Sequence, residues 1–306
     1  MLVDWPRMRR LLVLAFIWGW SFLFIKVAVE GMPPVAVAGG RIALGATVLV
    51  GVCAASGLRL PRDLTTWRHL AVAAFLGNVV PFSLLAWGEQ RVTSALTAVL
   101  NASTPLFTAL AGAVLLGERL RRAQLLGLGI GLLGVAVAAG VGGQDLADSS
   151  AAGALAAVGA GACYGLAFTY MSRHLLGLPS VVGAAGQLVA GTVLLGPVAI
   201  VVTANTGVSL TFSRVLSLVL LGVLGTGVAY VLYYRLIADV GPTRASLVTY
   251  LVPLVAVTVG VVVLDETFHL RVLAGGALIV GGIALVSPRR AAPASTEAPP
   301  VAEPRR

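Results

Sequence analysis

The chain has 306 residues, 58% of them apolar and only 11% charged, with a formal charge of +9 and a mean hydropathy of +0.97. A globular chain carries about a quarter charged residues, so this composition excludes a soluble domain. The basic residues sit in short loops between apolar runs, with no basic face and no interleaved aromatics, which argues against a nucleic-acid partner.

An α-helix needs about 20 apolar residues to cross about 30 Å of hydrocarbon. The first such window, 9–29, begins at Arg9 and Arg10 and ends before Glu30. It has the flanks of a signal peptide but no small-x-small exit, so it reads as a retained helix. Met32-Pro33-Pro34 precedes 34–56, Gly57 to Asp63 precedes 68–88, and Glu89-Gln90-Arg91 precedes 93–116. Glu118 to Arg122 leads to 122–141, and Gly142 to Ser150 leads to 151–173. The windows 180–203, 213–237, 243–264 and 269–287 follow, the ninth opening at Gly241-Pro242. The breaks carry turn chemistry or charge, and the runs are continuous rather than alternating, which excludes barrel strands. The expectation is an all-α polytopic membrane protein with ten transmembrane helices.

Lys and Arg set the orientation. With the N-terminal segment 1–8 in the cytoplasm, that side holds 16 basic residues: Arg7, Arg9, Arg10, Arg59, Arg62, Arg68, Arg119, Arg121, Arg122, Arg173, Arg235, Arg244, Arg289, Arg290, Arg305 and Arg306. The outer loops hold three, Arg91, Arg214 and Arg271. Both termini are therefore expected in the cytoplasm of a bacterial-type inner membrane. The tail 288–306, rich in Pro, Ala and charge, is expected to be disordered.

The chain repeats itself. Residues 76–134 align with 224–282 at a constant offset of 148: Leu76-Gly77 meets Leu224-Gly225, Pro105 meets Pro253, Glu118 meets Glu266, Gly127 meets Gly275 and Gly134 meets Gly282. Earlier positions align at an offset of 146: Trp18-Gly19 with Tyr164-Gly165, Phe22 with Phe168, and Gly40-Arg41 with Gly186-Gln187. The halves are 9–141 and 151–287, joined by an outer linker over 142–150. Five helices per half is an odd number, so the second half must enter the membrane upside down. Inverted repeats mark secondary transporters, in which similar halves exchange conformations to open alternately to each side.

These residues carry a resemblance. Trp18-Gly19, Phe22 and Lys26, then Pro33-Pro34 and Arg41, then Pro105, Gly117-Glu118 and Gly127, resemble the EamA repeat of the drug/metabolite transporter superfamily. Pro253, Asp265-Glu266 and Gly275 repeat the pattern in the second half. The resemblance implies two inverted five-helix bundles. It also implies secondary transport, with export or exchange of amino acids, related metabolites or drugs, and a small organic molecule as the partner.

A solute crossing hydrocarbon needs polar and aromatic groups at a central path near helix breaks. Pro105 and Pro253 are mid-helix hinges, each freeing a carbonyl one turn earlier, at Asn101 and Thr249. Asn78 with Thr226, and Phe82 with Tyr230 one turn on, occupy matched positions in the third and eighth helices. Trp18, Ser21, Tyr164 and Phe168 supply the first and sixth. Tyr233, Tyr234 and Trp87 lie near helix ends and read as interfacial anchors. All ten polar and aromatic residues are candidate substrate contacts; alternatively, the hydroxyls and amides only satisfy loosened backbone or link helices.

Lys26 lies a turn from the outer end of its helix and can snorkel. Arg41, about 10 Å deep at 1.5 Å per residue, is expected to pair with Glu30, Glu89 or Glu266; the sharper reading gives it a substrate carboxylate. Glu118 and Glu266 are expected to organise the start of the next helix. No Asp or Glu lies near the centre of a span and His69, His174 and His269 are peripheral, which favours a uniporter or exchanger over a strongly proton-driven pump, with proton relay by peripheral Glu residues as the alternative. The Gly-rich fifth and tenth helices read as packing elements or the seam of a homodimer.

No cofactor, metal or catalytic group is expected. Cys53 and Cys163 offer no metal spacing, no aspartates cluster for magnesium-bound pyrophosphate, and no Ser-His pair lies within reach. A non-transporting scaffold or receptor is the competing function, though it would not require an inverted repeat.

Overall fold

The computed structural model describes residues 5–140, 148–175, 177–240, 248–267 and 269–286. Most of the linker, Gly241-Pro242 and the tail lie outside them. Among the described residues every regular element is helical. The elements are α1 (Trp5–Val29), α2 (Pro34–Ala55), α3 (Leu64–Glu89), α4 (Ser94–Leu115), α5 (Arg122–Ala139), α6 (Asp148–His174) and α7 (Ser180–Thr206). Then come α8 (Phe212–Gly222, continuing through Ala229–Val240), α9 (Val248–Val263) and α10 (Leu270–Val286). Eight are long and apolar enough to cross a membrane, and α9 and α10 are shorter. Exposed Phe212, Ile200, Val114 and Leu155 present an apolar outer surface that suits hydrocarbon rather than water.

Local chemistry explains the starts. Asp63 caps α3, its carboxylate accepting from the Thr66 amide at 2.7 Å, which holds its pKa below the usual carboxylate value. Thr93 caps α4 by accepting from Leu96 N at 3.2 Å. Pro34, at the first position of α2, wastes no hydrogen bond there.

Three helices are interrupted. α3 contains a π-helical turn at Phe75–Val79, and α8 contains one at Val223–Val228, the same place at an offset of 148. α4 breaks at Ala102-Ser103. There Thr104 Oγ1 donates to the Asn101 carbonyl at 2.8 Å and Ser103 Oγ to Leu100 O at 2.6 Å. The carbonyl freed by Pro105 is thus taken by a neighbouring hydroxyl. Pro253, by contrast, sits inside a continuous helix. The difference follows from sequence: Ala102-Ser103-Thr104 offers hydroxyls that compete with the helix, whereas the matching Tyr250-Leu251-Val252 does not.

Packing brings the halves together. α2 packs along α7, α5 along α10, α1 along α9, and α6 along α4. The α5–α10 contact is antiparallel and glycine-lined: a Cβ at Gly127 would lie 2.6 Å from Gly282 O, and one at Gly134 would lie 2.7 Å from Gly275 O. Gln124, at the start of α5, donates to Val286 O at the end of α10. These four glycines therefore serve packing within one chain.

Candidate functional site

The two π turns organise the centre of the bundle. A π turn inserts a residue into the helical ladder and leaves carbonyls to be satisfied from outside it. In α3, Ala73 O accepts from the buried Gln187 Nε2 at 3.1 Å. In α8, the matching Leu221 O accepts from Thr226 Oγ1 at 3.2 Å. Thr226 in turn accepts from Arg41 Nε at 2.8 Å. The matched pair Arg41 and Gln187 thus reaches, from α2 and α7, onto one π turn each. Sequence alignment had paired these residues without indicating this role.

Arg41 is 7% exposed, and its guanidinium lies 3.9 Å above the Phe82 ring. Phe82 meets Tyr164 edge-on, with centroids 6.4 Å apart. Asn78 is fully buried and donates to the Tyr230 hydroxyl at 3.1 Å, while its Oδ1 has no partner. Arg41, Asn78, Phe82, Tyr164, Thr226 and Tyr230 thus form one cluster from both halves. The expected ion pair is not made: no carboxylate lies within 4 Å of Arg41 among the described residues, whose ion pairs are Arg10–Asp239 and Arg214–Glu30. Its terminal N–H groups make no hydrogen bond among the described residues.

The other candidates fall elsewhere. Trp18 packs against Tyr233 in a tilted contact, with centroids 5.3 Å apart, in the apolar cluster around Leu14 and Ala256. Ser21 donates to Ile17 O at 3.0 Å and abuts Gly225 of the second π turn. Phe168 stacks on Tyr164 but is 49% exposed. Asn101 keeps a buried Oδ1 without a partner beside the α4 break, and Thr249 lies half-buried on α9. Tyr233 and Tyr234, expected as interfacial anchors, instead pack on Trp18 and Tyr230. Trp87 fits the anchor reading, half-exposed beneath the Arg91 guanidinium.

Lys26 does not snorkel freely. Its Nζ donates to Glu89 O at 2.6 Å and Val92 O at 2.9 Å, satisfying carbonyls where α3 ends. Glu266 corrects another expectation. Asp265 has φ 51, and its match Gly117 has φ 69, so the chain reverses at both places. The Glu266 amide then reaches Gly260 O at 3.0 Å, as Glu118 N reaches Gly112 O at 3.3 Å. That reversal carries the Glu266 carboxylate onto Ser94 N (2.7 Å) and Ala95 N (3.2 Å). It caps a helix of the opposite half rather than the helix that follows it.

Glu89, expected in a charged break as a partner for Arg41, instead ends α3 fully buried, at 0% exposure. Its Oε2 lies 3.2 Å from Ser94 Oγ, and its Oε1 has no partner among the described residues.

Comparison with known proteins agrees with this architecture. Residues 10–140 and 151–287 each match the EamA-like transporter family. The probable terminal-alkyne amino-acid exporter of Streptantibioticus cattleyicolor is 30% identical, over 89% of this chain and 90% of its own length. The inner membrane transporter YedA of Escherichia coli K12 is 30% identical over 86% and 84%. The transporter YvbV of Bacillus subtilis is 28% identical over 92% of both chains. A solved crystal structure covers 93% of this chain and 97% of its own with a TM-score of 0.62 at 23% identity, a likeness of fold.

Proposed function

Because the chain belongs to the EamA-like transporter family, we propose that it carries a small, carboxylate-bearing organic molecule across the inner membrane by alternating access, and exports it. The multi-pass membrane character and the transporter family are the premises; substrate, direction and mechanism are the reading.

One observation carries it. A guanidinium buried between the halves, whose terminal N–H groups make no hydrogen bond to the described residues, is costly unless an anion completes it. Arg41 meets that description. A carboxylate matches the planar fork of the guanidinium, and Asn78 Oδ1 is an acceptor suited to a donor on the same solute. The relative named as a probable amino-acid exporter handles a class that carries both groups.

The inverted ten-helix arrangement is supported by reciprocal contacts, and cytoplasmic termini by the bias in Lys and Arg. A Cβ at Gly19 would meet Val255 and Ala256 N, while one at the matching Gly165 would meet Phe107 and Thr108 N. Gly127 faces Gly282 while Gly134 faces Gly275. In each case residue i touches j′ and j touches i′, the signature of a two-fold relation. Two such halves enclosing Arg41 can close on either side in turn.

The test is efflux from proteoliposomes loaded with single amino acids, a terminal-alkyne amino acid among them, against methyl esters of the same compounds. Saturable flux of acids but not esters is expected. Equal flux of both sinks the carboxylate reading, and absence of saturable flux for any solute sinks transport.

A further inference from the structure

We propose that Glu89 is a proton-binding site that locks its end of the bundle shut when occupied and lets that end open when empty. The proposal goes beyond the substrate cluster, which does not use Glu89. It rests on the transport reading only for its purpose, since such a lock ties solute movement to a proton.

The site joins four elements. Glu89 ends α3, and Ser94 starts α4 with its Oγ 3.2 Å from Glu89 Oε2 and 3.5 Å from the Phe22 carbonyl of α1. The Glu266 carboxylate, from the segment before α10, holds the Ser94 and Ala95 amides. Lys26 of α1 ties to the Glu89 and Val92 carbonyls. Opening this end must part these contacts.

The hydrogen-bond inventory favours a neutral acid in the closed arrangement. Ser94 has one hydroxyl proton but two acceptors in reach. If Glu89 is ionised, that proton turns to the carboxylate and Phe22 O loses its donor. If Glu89 carries a proton, Oε2–H donates to Ser94 Oγ, Ser94 donates to Phe22 O, and α1, α3 and α4 are tied in one chain.

No neighbouring cation pairs directly with the Glu89 carboxylate among the described residues. Glu266 already supplies the negative charge that the start of α4 can use. Lys26 spends its ammonium on carbonyls and makes no ion pair with Glu89, though its charge, like those of Glu266 and Arg41, acts on Glu89 through space. Arg41 of α2 is bound to Thr226. Arg91 turns away onto Trp87. α6 meets the adjacent Gly88 through Gly153 and Ala156, neither of them titratable. An ionised Glu89, fully buried with Oε1 unpartnered among the described residues, would be costly.

The device belongs to one end of the bundle. At matching positions in the other half, Glu89 faces Ile237, Ser94 faces Pro242 and Lys26 faces Ser172, whereas Glu266 faces Glu118. Both halves carry the matched glutamate in sequence, and only one adds the acid, hydroxyl and lysine. In the opening step, water reaches Glu89, which releases its proton to that water and keeps one negative charge. The Ser94 proton swings to the carboxylate, Phe22 O is released, and Lys26 is free to approach the new charge.

The experiment is hydrogen exchange of the full chain in nanodiscs without solute, read at the Val92, Ser94 and Ala95 amides and corrected for intrinsic rates. Between about pH 5.5 and about pH 8.5, exchange in the wild type should accelerate about tenfold. Glu89→Gln, which mimics the protonated acid, should stay slow at both. Glu266→Gln should exchange faster throughout yet keep the pH response. Ser94→Ala should lose the response, because closure no longer follows the acid; it serves where Glu89→Gln fails to fold. A wild-type response in Glu89→Gln or in Ser94→Ala overturns the proposal, as does loss of the response in Glu266→Gln alone. None of these failures touches the proteoliposome test of transport.

Discussion

Replacing Arg41 by Met separates a solute anchor from a structural pin. The change removes the hydrogen bond to Thr226, a charged bond worth about 1.5–3 kcal/mol. It also removes the contact over Phe82, worth about 2 kcal/mol where water is excluded. Thr226 is not orphaned, because its hydroxyl keeps Leu221 O. Against this loss of about 4 kcal/mol stands the relief of a desolvated ion, itself several kcal/mol. The terms nearly cancel, so the apparent Tm in nanodiscs should move by less than about 5 °C. Flux should respond differently. Losing the partner of a buried carboxylate costs about 2–5 kcal/mol, so half-saturation for an acid solute should rise about 30-fold or more. Fluorescence-monitored melting and proteoliposome efflux read the two quantities. A Tm lowered by more than about 10 °C with unchanged half-saturation would refute the reasoning and make Arg41 a pin.

Three further outcomes are expected. Gly134→Leu puts a side chain where a Cβ already lies 2.7 Å from Gly275 O, and overpacking should destabilise by about 1–3 kcal/mol or more. Gly281→Ala, with nothing within 4 Å, should be neutral or stabilising, so paired melting curves test the seam. Asp63 has a depressed folded-state pKa, so its capping contribution is complete above the unfolded value of about 3.9 and is lost as pH falls through the folded one. Asp63→Asn should flatten the acid limb of a Tm-against-pH plot, and an unchanged limb would remove the cap from the account. Asn78→Leu should cut flux several-fold with normal membrane insertion, while Trp18→Ala should lower Tm more than flux, since Trp18 packs on Tyr233. The reverse ranking would move the solute path toward α1.

What was legible in the sequence follows from what each signal depends on. Helix positions came from apolar runs, because crossing hydrocarbon forces length and composition together. Pairings such as Asn78 with Thr226 came from a constant offset. The π turns at Phe75–Val79 and Val223–Val228 were not legible, since a π turn has no residue signature and is fixed by neighbours such as Gln187. Glu266 was visible as half of a repeated motif, but not its target, which depends on the left-handed Asp265 sending the chain back. Glu89 looked peripheral because charge beside Arg91 reads as a loop. Only the fold places Lys26, Ser94 and Glu266 around it and removes it from water.

The glycine seam between α5 and α10 reads the same from either side. Each half carries both positions that the seam needs, Gly127 and Gly134 in one and Gly275 and Gly282 in the other. A half expressed alone therefore holds a surface complementary to a second copy of itself laid antiparallel across a two-fold axis. Fusing the halves into one polypeptide replaces a concentration-dependent encounter with an intramolecular one. It also leaves the two copies free to differ, so that Arg41 is matched by Gln187 and Glu89 by Ile237.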